Sequence, residues 1–400
     1  MPDFSIPPFD ERIYAFLREA GLPEDLVDPG QHRSHALAEL YVLELVIDLV
    51  EQLGMTDLLA RPRTAAELLE AREFVPGFRT ALCWLLERLV AAGKLTRDGQ
   101  GRNARYRLPA PLPASGRQAV RGEALAVDPS YTPAYALLDE AAAAYPRVAR
   151  GETTGERALF QKIALWCAYF SNENRYYAIN NRLGAAAAAA RLGAEPACVL
   201  EVGAGLGSAT EALLELLSAR GHVGALTSYR FTEPVPFFRR RAQRTLEAAH
   251  PGVPFVFSAL DINQPWPDQG VEPGRFQLVW GVNVFHLARN LGAALREALA
   301  SLAPGAWLVL GEGLRPFAGQ PIGAEFPFQI LESFVDVEIE PETRPTAGFL
   351  TPEQWQRALE MSGFTEVRIV PDLARLRECC PGFFAGAVYG RRPACRCFAL

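Results

Sequence analysis

A short apolar run that breaks into closely spaced glycines constrains this chain most. Residues 198–207 read Cys-Val-Leu-Glu-Val-Gly-Ala-Gly-Leu-Gly. The apolar part is short and β-branched, which favours a buried parallel strand. Gly203, Gly205 and Gly207 then allow the backbone to turn sharply and to approach a ligand closely. The pattern predicts a strand that ends in a ligand-binding turn.

The spacing of the glycines separates two kinds of nucleotide-binding turn. A dinucleotide turn uses Gly-x-Gly-x-x-Gly, whereas this chain has Gly-x-Gly-x-Gly. Ser208 and Glu211 match a Ser-x-x-Glu capping box. This match predicts that a helix begins directly after the turn and directs its positive end at the bound molecule.

Acidic residues accompany three successive predicted strands. Glu201 lies beside the glycine turn, Glu233 follows the apolar stretch 226–231, and Asp261 follows the run 255–260. In a parallel sheet such strand ends meet at one edge, where a carboxylate can lie over a ribose. Ile262, next to Asp261, is suited to pack on a purine face.

This series of an acid, a glycine turn and two further acids resembles class I S-adenosyl-L-methionine (SAM) dependent methyltransferases, over residues 195–390. The resemblance implies SAM as cofactor, either as methyl donor or as the substrate itself. The implied SAM-binding residues are Glu201, Gly203, Ala204, Gly205, Glu233, Asp261, Ile262 and Asn283.

Strand-type and helix-type patterns alternate after residue 195. They predict the α/β class, with a Rossmann-like methyltransferase sheet that has helices on both faces. Upstream, helices are predicted at 34–59 and 76–92, followed by a two-stranded wing at 94–108, which is a winged-helix pattern. Residues 110–130 are predicted to be a connection, and further helical stretches are expected at 132–145 and at 155–192, where the second allows an interruption.

These patterns divide the chain into three expected segments. They are a helical, winged-helix-like N-terminal domain at 1–115, connecting and active-site-covering helices at 116–194, and a SAM-binding catalytic domain at 195–400 with a lid insertion at 313–350. The helix 76–92 carries only Arg79, Glu87 and Arg88 as charged residues, which does not suit a DNA-reading helix. The N-terminal arrangement resembles instead the dimerisation domain of small-molecule O-methyltransferases, which implies a homodimer.

A possible acid–base pair follows the fourth and fifth predicted strands. The segment Asn283-Val-Phe-His286, together with Glu312 at the next strand end, resembles the C-methyltransferase domains of polyketide synthases. In that family the histidine takes a proton from a carbon between two carbonyls and the glutamate orients the ring. The match carries these roles to His286 and Glu312, and Thr232-Glu233 matches the family's ribose-binding Thr-Asp. Histidine suits this task because its pKa of about 6.5 lies near neutrality.

Aromatic residues gather just before the glycine turn and in the insertion. We expect Tyr176 to act catalytically by stabilising the sulfonium through cation–π contact. We expect the substrate pocket to be lined by Phe170, Tyr177, Phe285 and Phe328. Plain core packing would explain the same rings.

Composition excludes several classes of function. The net charge of −6 and pI of about 5.6 give no electrostatic reason to bind nucleic acid. No basic, apolar leader and no long apolar run is present in the sequence, so a cytoplasmic protein without a membrane partner is predicted. The cysteines at 83, 167, 198, 379, 380, 395 and 397 lack the spacing of a zinc site and are expected to be reduced thiols, and no metal is predicted.

Three functions are consistent with these patterns. The leading one is a SAM-dependent methyltransferase of a secondary-metabolite pathway that acts on a small or carrier-bound acidic acceptor. The second is an enzyme that resembles the methyltransferase-like azetidine-2-carboxylate synthases, which cyclise SAM and release methylthioadenosine. The third is a winged-helix regulator that senses SAM, which the acidic charge disfavours.

Overall fold

The computed structural model describes residues 6–394. Its helices are α1 (Arg12–Glu19), α2 (Pro29–Gln52), α3 (Ala65–Ala71), α4 (Arg79–Ala91), α5 (Arg117–Val127), α6 (Thr132–Ala149), α7 (Gly155–Leu159), α8 (Ile163–Tyr169), α9 (Arg175–Ala189), α10 (Ser208–Ala219), α11 (Pro236–Ala249), α12 (Leu291–Ser301), α13 (Glu332–Val335), α14 (Pro352–Met361) and α15 (Leu373–Cys379). Its strands are β1 (Arg63–Thr64), β2 (Thr96–Asp98), β3 (Arg105–Arg107), β4 (Ala197–Glu201), β5 (Leu226–Thr232), β6 (Phe255–Ser258), β7 (Phe276–Val282), β8 (Leu302–Gly313), β9 (Thr365–Val370) and β10 (Ala385–Arg391).

The contacts of the chain divide it into two compact units that are not continuous in sequence. The first, the helical unit, comprises residues 6–9, Asp28–Tyr169 and Phe317–Asp336. The second, the sheet unit, comprises Asp10–Val27, Phe170–Pro316 and residues 337–394. The three segments expected from the sequence follow chain order instead, and their boundaries stay a prediction.

The helical unit contains the predicted wing. Strands β1, β3 and β2 pair antiparallel in that order. Helix α3 begins with a capping box, in which Thr64 and Glu67 each bond the other's backbone N–H. Helix α2 buries residues nearly all round, in agreement with its apolar sequence.

One prediction about the helices before the sheet is wrong. The expected connection 110–130 contains helix α5, whose Val120 and Ala124 are buried one turn apart. The helical stretch expected at 155–192, for which the sequence allowed an interruption, consists of the three helices α7, α8 and α9. Proline and glycine around α5 concealed its alanine-rich centre, and a run of small polar residues at 171–174 separates α8 from α9.

The middle of the predicted insertion belongs to the helical unit. Glu325 accepts a hydrogen bond from the Trp84 indole at 3.1 Å, and the Phe326 ring stacks on Tyr145 with centroids 4.8 Å apart. Residues 337–350 belong to the sheet unit. A lid formed by the whole insertion 313–350 stays a prediction.

The predicted sheet is confirmed in the sheet unit. Seven strands lie in the order β6-β5-β4-β7-β8-β10-β9, and helices flank them. Strands β4 to β8 pair parallel, whereas β10 runs antiparallel to both of its neighbours. The carboxyl ends of the parallel strands therefore meet at one edge.

The start of α10 differs from the prediction. Gly207, with φ of 86°, occupies the N-cap position, and no side chain caps this helix. Ser208 is therefore the first helical residue, and the expected capping box with Glu211 does not form. The left-handed backbone at Gly207 moves the helix start by one residue, which removes the hydroxyl from the capping position.

Two helical glycines differ in their surroundings, which gives a stability test. A Cβ at Gly122 of α5 would meet no atom within 4 Å, whereas a Cβ at Gly184 of α9 would lie 3.2 Å from the Cα of Gly311 in β8. We expect Gly122→Ala to raise the free energy of unfolding by about 0.5–1 kcal/mol, because alanine loses less backbone entropy. We expect Gly184→Ala to lower it by about 1–3 kcal/mol through overpacking.

Denaturant titration followed by circular dichroism measures both effects. Gly193→Ala, also without an atom within 4 Å, is the control for alanine substitution outside a helix. Equal stabilisation by Gly122→Ala and Gly184→Ala would contradict the close approach of α9 to β8.

Candidate active site

The glycine turn lies directly after β4 and contacts the loop that follows β7. Gly203, Gly205 and Gly207 have φ of 62°, 57° and 86°. A Cβ at Gly203 would lie 2.6 Å from Val284. Ala204 donates its N–H to the carbonyl of Thr232 at 2.9 Å. Glycine is therefore required at 203 both by its backbone angles and by the neighbouring loop.

Glu233, at the end of β5, is bound to the glycine turn. Its carboxylate accepts hydrogen bonds from the N–H groups of Gly205 at 3.0 Å and Val235 at 2.8 Å. Burial raises the pKa of Glu233, and these two hydrogen bonds partly offset the rise. A carboxylate has about four lone-pair sites, so Glu233 can still accept from a ribose hydroxyl. The predicted role of Glu233 in binding the ribose of SAM fits this geometry.

Glu201 has different hydrogen-bond partners from Glu233. Its side chain is 1% exposed and accepts hydrogen bonds from the hydroxyls of Thr210, at 2.7 Å, and Tyr229. Burial raises the pKa of Glu201 to about 7, although both hydrogen bonds act against the rise. The carboxylate thus connects α10 to β5, a function that the sequence did not indicate. Contact between Glu201 and SAM stays a prediction.

Asp261 lies three residues beyond β6 and is exposed. The side-chain amide of Gln269 forms two hydrogen bonds with the backbone of Asp261, of 2.7 and 2.9 Å. The Asp261 carboxylate accepts from the N–H of Asn263, and the Asn263 side chain accepts from the N–H of Arg289. This chain of contacts runs from the predicted ribose acid to the loop after β7. Sequence reasoning missed Gln269, since nothing local distinguishes it.

His286 and Glu312 are in contact. The ring Nδ1 of His286 lies 2.6 Å from Oε2 of Glu312, and Oε1 of Glu312 accepts from the N–H of Phe285 at 3.1 Å. The two side chains are 4% and 0% exposed. Because the carboxylate accepts from Nδ1, this nitrogen carries a proton, and Nε2 is the basic nitrogen of the neutral ring. The structure thus brings together the pair that sequence reasoning proposed.

Asn283 connects the pair to the surrounding loops. It has a left-handed φ of 53°. Its N–H donates to the carbonyl of Gly311 at 2.7 Å, and its side chain accepts from the N–H of Gly313 at 3.0 Å. Asn283 therefore fixes the end of β7 against the residues on either side of Glu312.

Tyr177 is the aromatic residue that joins this cluster. Burial raises the pKa of its hydroxyl to about 12, and a hydrogen bond from Asn283 offsets part of the rise. Tyr177 therefore stays a neutral hydroxyl near neutral pH. Its ring packs edge-on against Phe170 at 5.0 Å.

The other predicted rings are found in different surroundings. Tyr176 packs on Phe384 with centroids 5.9 Å apart, and its predicted catalytic role stays a prediction. Phe285 is fully buried. Phe328 lies in the helical unit among Trp166, Tyr169 and Phe334, so its pocket role also stays a prediction. Phe349, which sequence reasoning missed, packs edge-on against His286 at 4.6 Å.

The described residues also bear on the remaining predictions. Five cysteines within residues 6–394 are free thiols, and Cys395 and Cys397 lie outside the described residues. Over the same range, no cluster of three or more His, Cys, Asp or Glu side chains is arranged to hold a metal ion. Among the described helices, none combines the length and apolarity needed to cross a membrane.

The raised pKa of Glu201 predicts a pH-dependent stability. The unfolded chain releases this proton near the ordinary pKa of 4.5, whereas the folded chain holds it to about pH 7. Stability should therefore fall as pH rises between these values, by about 3 kcal/mol in total. Glu201→Gln should abolish this part of the fall, because the amide does not ionise.

Thermal unfolding from pH 4.5 to 8, without added cofactor, measures the difference between the two proteins. Glu247→Gln, at an exposed position of α11, is the matched control and should follow the parent chain. Parallel profiles for the parent and Glu201→Gln would show that the folded chain does not hold this proton.

The chain resembles known methyltransferases in sequence. A family model described as a methyltransferase domain matches residues 200–308. Polyketide synthase ThaQ of Burkholderia thailandensis is 30% identical over 335 residues, which cover 80% of this chain and 15% of that synthase. The chain spans 4% to 15% of the length of the first curated relatives that it matches.

Solved structures extend the likeness to the whole fold. The CurJ carbon methyltransferase superposes with a TM-score of 0.78 at 20% identity, over 97% of this chain and 100% of that one. The trans-methyltransferase CalH, solved with S-adenosylhomocysteine, superposes with a TM-score of 0.64 at 20% identity, over 92% of each chain. The glycine turn and Glu233 fit SAM, because the turn admits no Cβ at 203 and the acid lies at its rim. Residues 200–308 therefore form a methyltransferase domain, for which SAM is the cofactor, and the chain has the fold of the carbon methyltransferases of polyketide synthases.

Proposed function

We propose that this enzyme methylates an acidic carbon that lies between two carbonyl groups of a small or carrier-bound acceptor. The single observation that carries the proposal is the buried contact of 2.6 Å between His286 Nδ1 and Glu312 Oε2 at adjacent strand ends. The carboxylate fixes the tautomer of the ring and stabilises the imidazolium that forms when Nε2 takes a proton.

The chemistry of such an acceptor suits this pair. A carbon between two carbonyls is acidic because its carbanion is delocalised onto both oxygens, so a histidine is a strong enough base. His286 removes the proton, the carbon forms a bond to the methyl group, and the bond between methyl and sulfur breaks. SAM supplies the methyl group and leaves as S-adenosylhomocysteine, and the imidazolium later returns its proton to solvent.

The surroundings support base catalysis over a competing role for tyrosine. Tyr177 is held neutral by burial, whereas His286 has a carboxylate partner. Asn283 and Phe285, on the same loop, are bonded to β8 and to Glu312, which keeps the ring in one orientation. Preorganisation of this kind contributes to rate because little reordering is needed in the transition state.

The relatives suggest the class of acceptor. The matched proteins include a polyketide synthase, and the superposed structures are a carbon methyltransferase and a trans-methyltransferase. These names favour a β-keto thioester carried on a partner protein. From the sequence, we also propose that the chain pairs into a homodimer and that it is cytoplasmic.

Replacing the base tests the assignment. With acetoacetyl-N-acetylcysteamine as acceptor, His286→Ala should lower the methylation rate by about 10²–10⁴-fold, because the proton acceptor is lost. Glu312→Gln should lower it less, since the amide still contacts the ring. SAM affinity, measured by calorimetry, should change little in both variants. Mass spectrometry of the methylated thioester and of S-adenosylhomocysteine follows the reaction.

His222→Ala, remote from the strand ends, is the matched control and should keep the parent rate. An unchanged rate in His286→Ala would refute the base assignment. Release of methylthioadenosine from SAM without an acceptor would instead favour the cyclising alternative.

A further inference from the structure

A buried arginine holds the loop that carries His286. Arg344 is 1% exposed. Its guanidinium donates to the carbonyls of Ala288 at 2.6 Å, Arg289 at 2.5 Å and Glu338 at 3.1 Å. A longer contact of 3.5 Å reaches the carbonyl of His286 itself. Sequence reasoning missed this residue, because it follows His286 by 58 positions.

The loop needs such a donor at this point. His286 lies in a single 3₁₀ turn, Phe285–Leu287, and the last carbonyls of a helical turn lack partners within the turn. A guanidinium presents five N–H groups in one rigid plane and can therefore bond several carbonyls at once. An ammonium group has the same charge but lacks this fixed geometry.

Arg344 is itself held by its own segment. Residues 340 and 344 exchange two backbone hydrogen bonds, of 3.0 and 2.8 Å. Glu338 donates its N–H to the carbonyl of Arg289 at 2.8 Å and accepts from the side chain of Asn290 at 2.6 Å. Burial lowers the pKa of Arg344, and the nearby charges of Glu340 and Glu338 act against this. These hydrogen bonds hold residues 338–344 in place, so that the guanidinium is oriented toward the His286 loop.

The same part of the chain also reaches the ring of His286. Phe349 packs edge-on against the imidazole with centroids 4.6 Å apart. The imidazole is therefore held by Glu312 at Nδ1 and by Phe349 at its side, and Arg344 holds the backbone that carries it. All of these residues belong to the sheet unit.

We propose that Arg344 is a positioning residue for the methyl transfer, whose guanidinium fixes the backbone of the His286 loop so that the imidazole stays aligned with Glu312. The effect on rate rests on the proposed function, whereas the effect on the ring does not. Small displacements of a catalytic group are costly, since about 1 Å can reduce a rate by about 10²-fold.

Arg344→Lys in the full chain tests the proposal with two readouts. The first is the ¹⁵N chemical shift of the His286 ring nitrogens in histidine-labelled protein, assigned by the signal that disappears in His286→Ala among the five histidines. We expect the parent to show a single Nδ1-protonated tautomer and Arg344→Lys to show averaging of tautomers. The second is methylation, where we expect kcat to fall by about 10- to 100-fold while SAM affinity and the acceptor KM stay within about twofold.

A second variant distinguishes loss of positioning from loss of the folded structure. Arg344→Ala leaves a space of guanidinium shape, and millimolar guanidinium should restore part of the parent kcat and the parent ring shifts. Arg191→Lys is the control, because Arg191 is a partly buried arginine that donates to a carbonyl of α9 and lies over the Tyr389 ring. It should keep both the ring shifts and kcat.

Several outcomes would overturn the proposal. They are unchanged ring shifts in Arg344→Lys, an equal loss of kcat in Arg191→Lys, or no response of Arg344→Ala to guanidinium. If His286→Ala keeps the parent rate, the base assignment fails, and the ring shifts alone still decide whether Arg344 positions the imidazole.

Discussion

Parallel pairing of β7 with β4 on one side and β8 on the other places the glycine turn beside the segments that carry His286 and Glu312. Glu201 is opposite Trp280, and Val282 is opposite Gly311. The segments after these strands therefore emerge at one edge of the sheet. Val284 therefore lies close to Gly203, which brings the His286 loop against the glycine turn. The register of these strands is thus the reason that the glycine turn and the loop of the proposed base, His286, are neighbours.

Three glutamates at this edge accept hydrogen bonds from different donors, so each carboxylate is suited to a different task. Glu312 accepts from an imidazole and a backbone N–H, which suits the stabilisation of a charge that forms during the reaction. Glu233 accepts from two backbone N–H groups and keeps capacity for a ribose. Glu201 accepts from two buried hydroxyls and is easily protonated. All three carboxylates are buried, so it is their hydrogen-bond donors that distinguish them.

Much of the sheet unit could be predicted, and the failures have local causes. Glu233, Asn283 and Glu312 lie at the ends of β5, β7 and β8 as predicted, because short apolar runs are visible along the chain. A capping box of Thr351 and Gln354 begins α14. The box at Ser208 fails because the left-handed Gly207 takes the N-cap position. Helix α5 was missed because flanking proline and glycine resembled a connection, although tertiary packing buries one face.

By itself, the sequence determined the alternation of strands and helices, the glycine turn, and the presence of a histidine and a glutamate at consecutive strand ends. These features depend on spacing within a few residues, which is visible along the chain. Only the tertiary structure decided that Glu201 bonds Thr210 and Tyr229, that Phe349 lies against His286, and that Arg344 holds the His286 loop. Such contacts join distant segments, and their geometry depends on which loops the fold brings together.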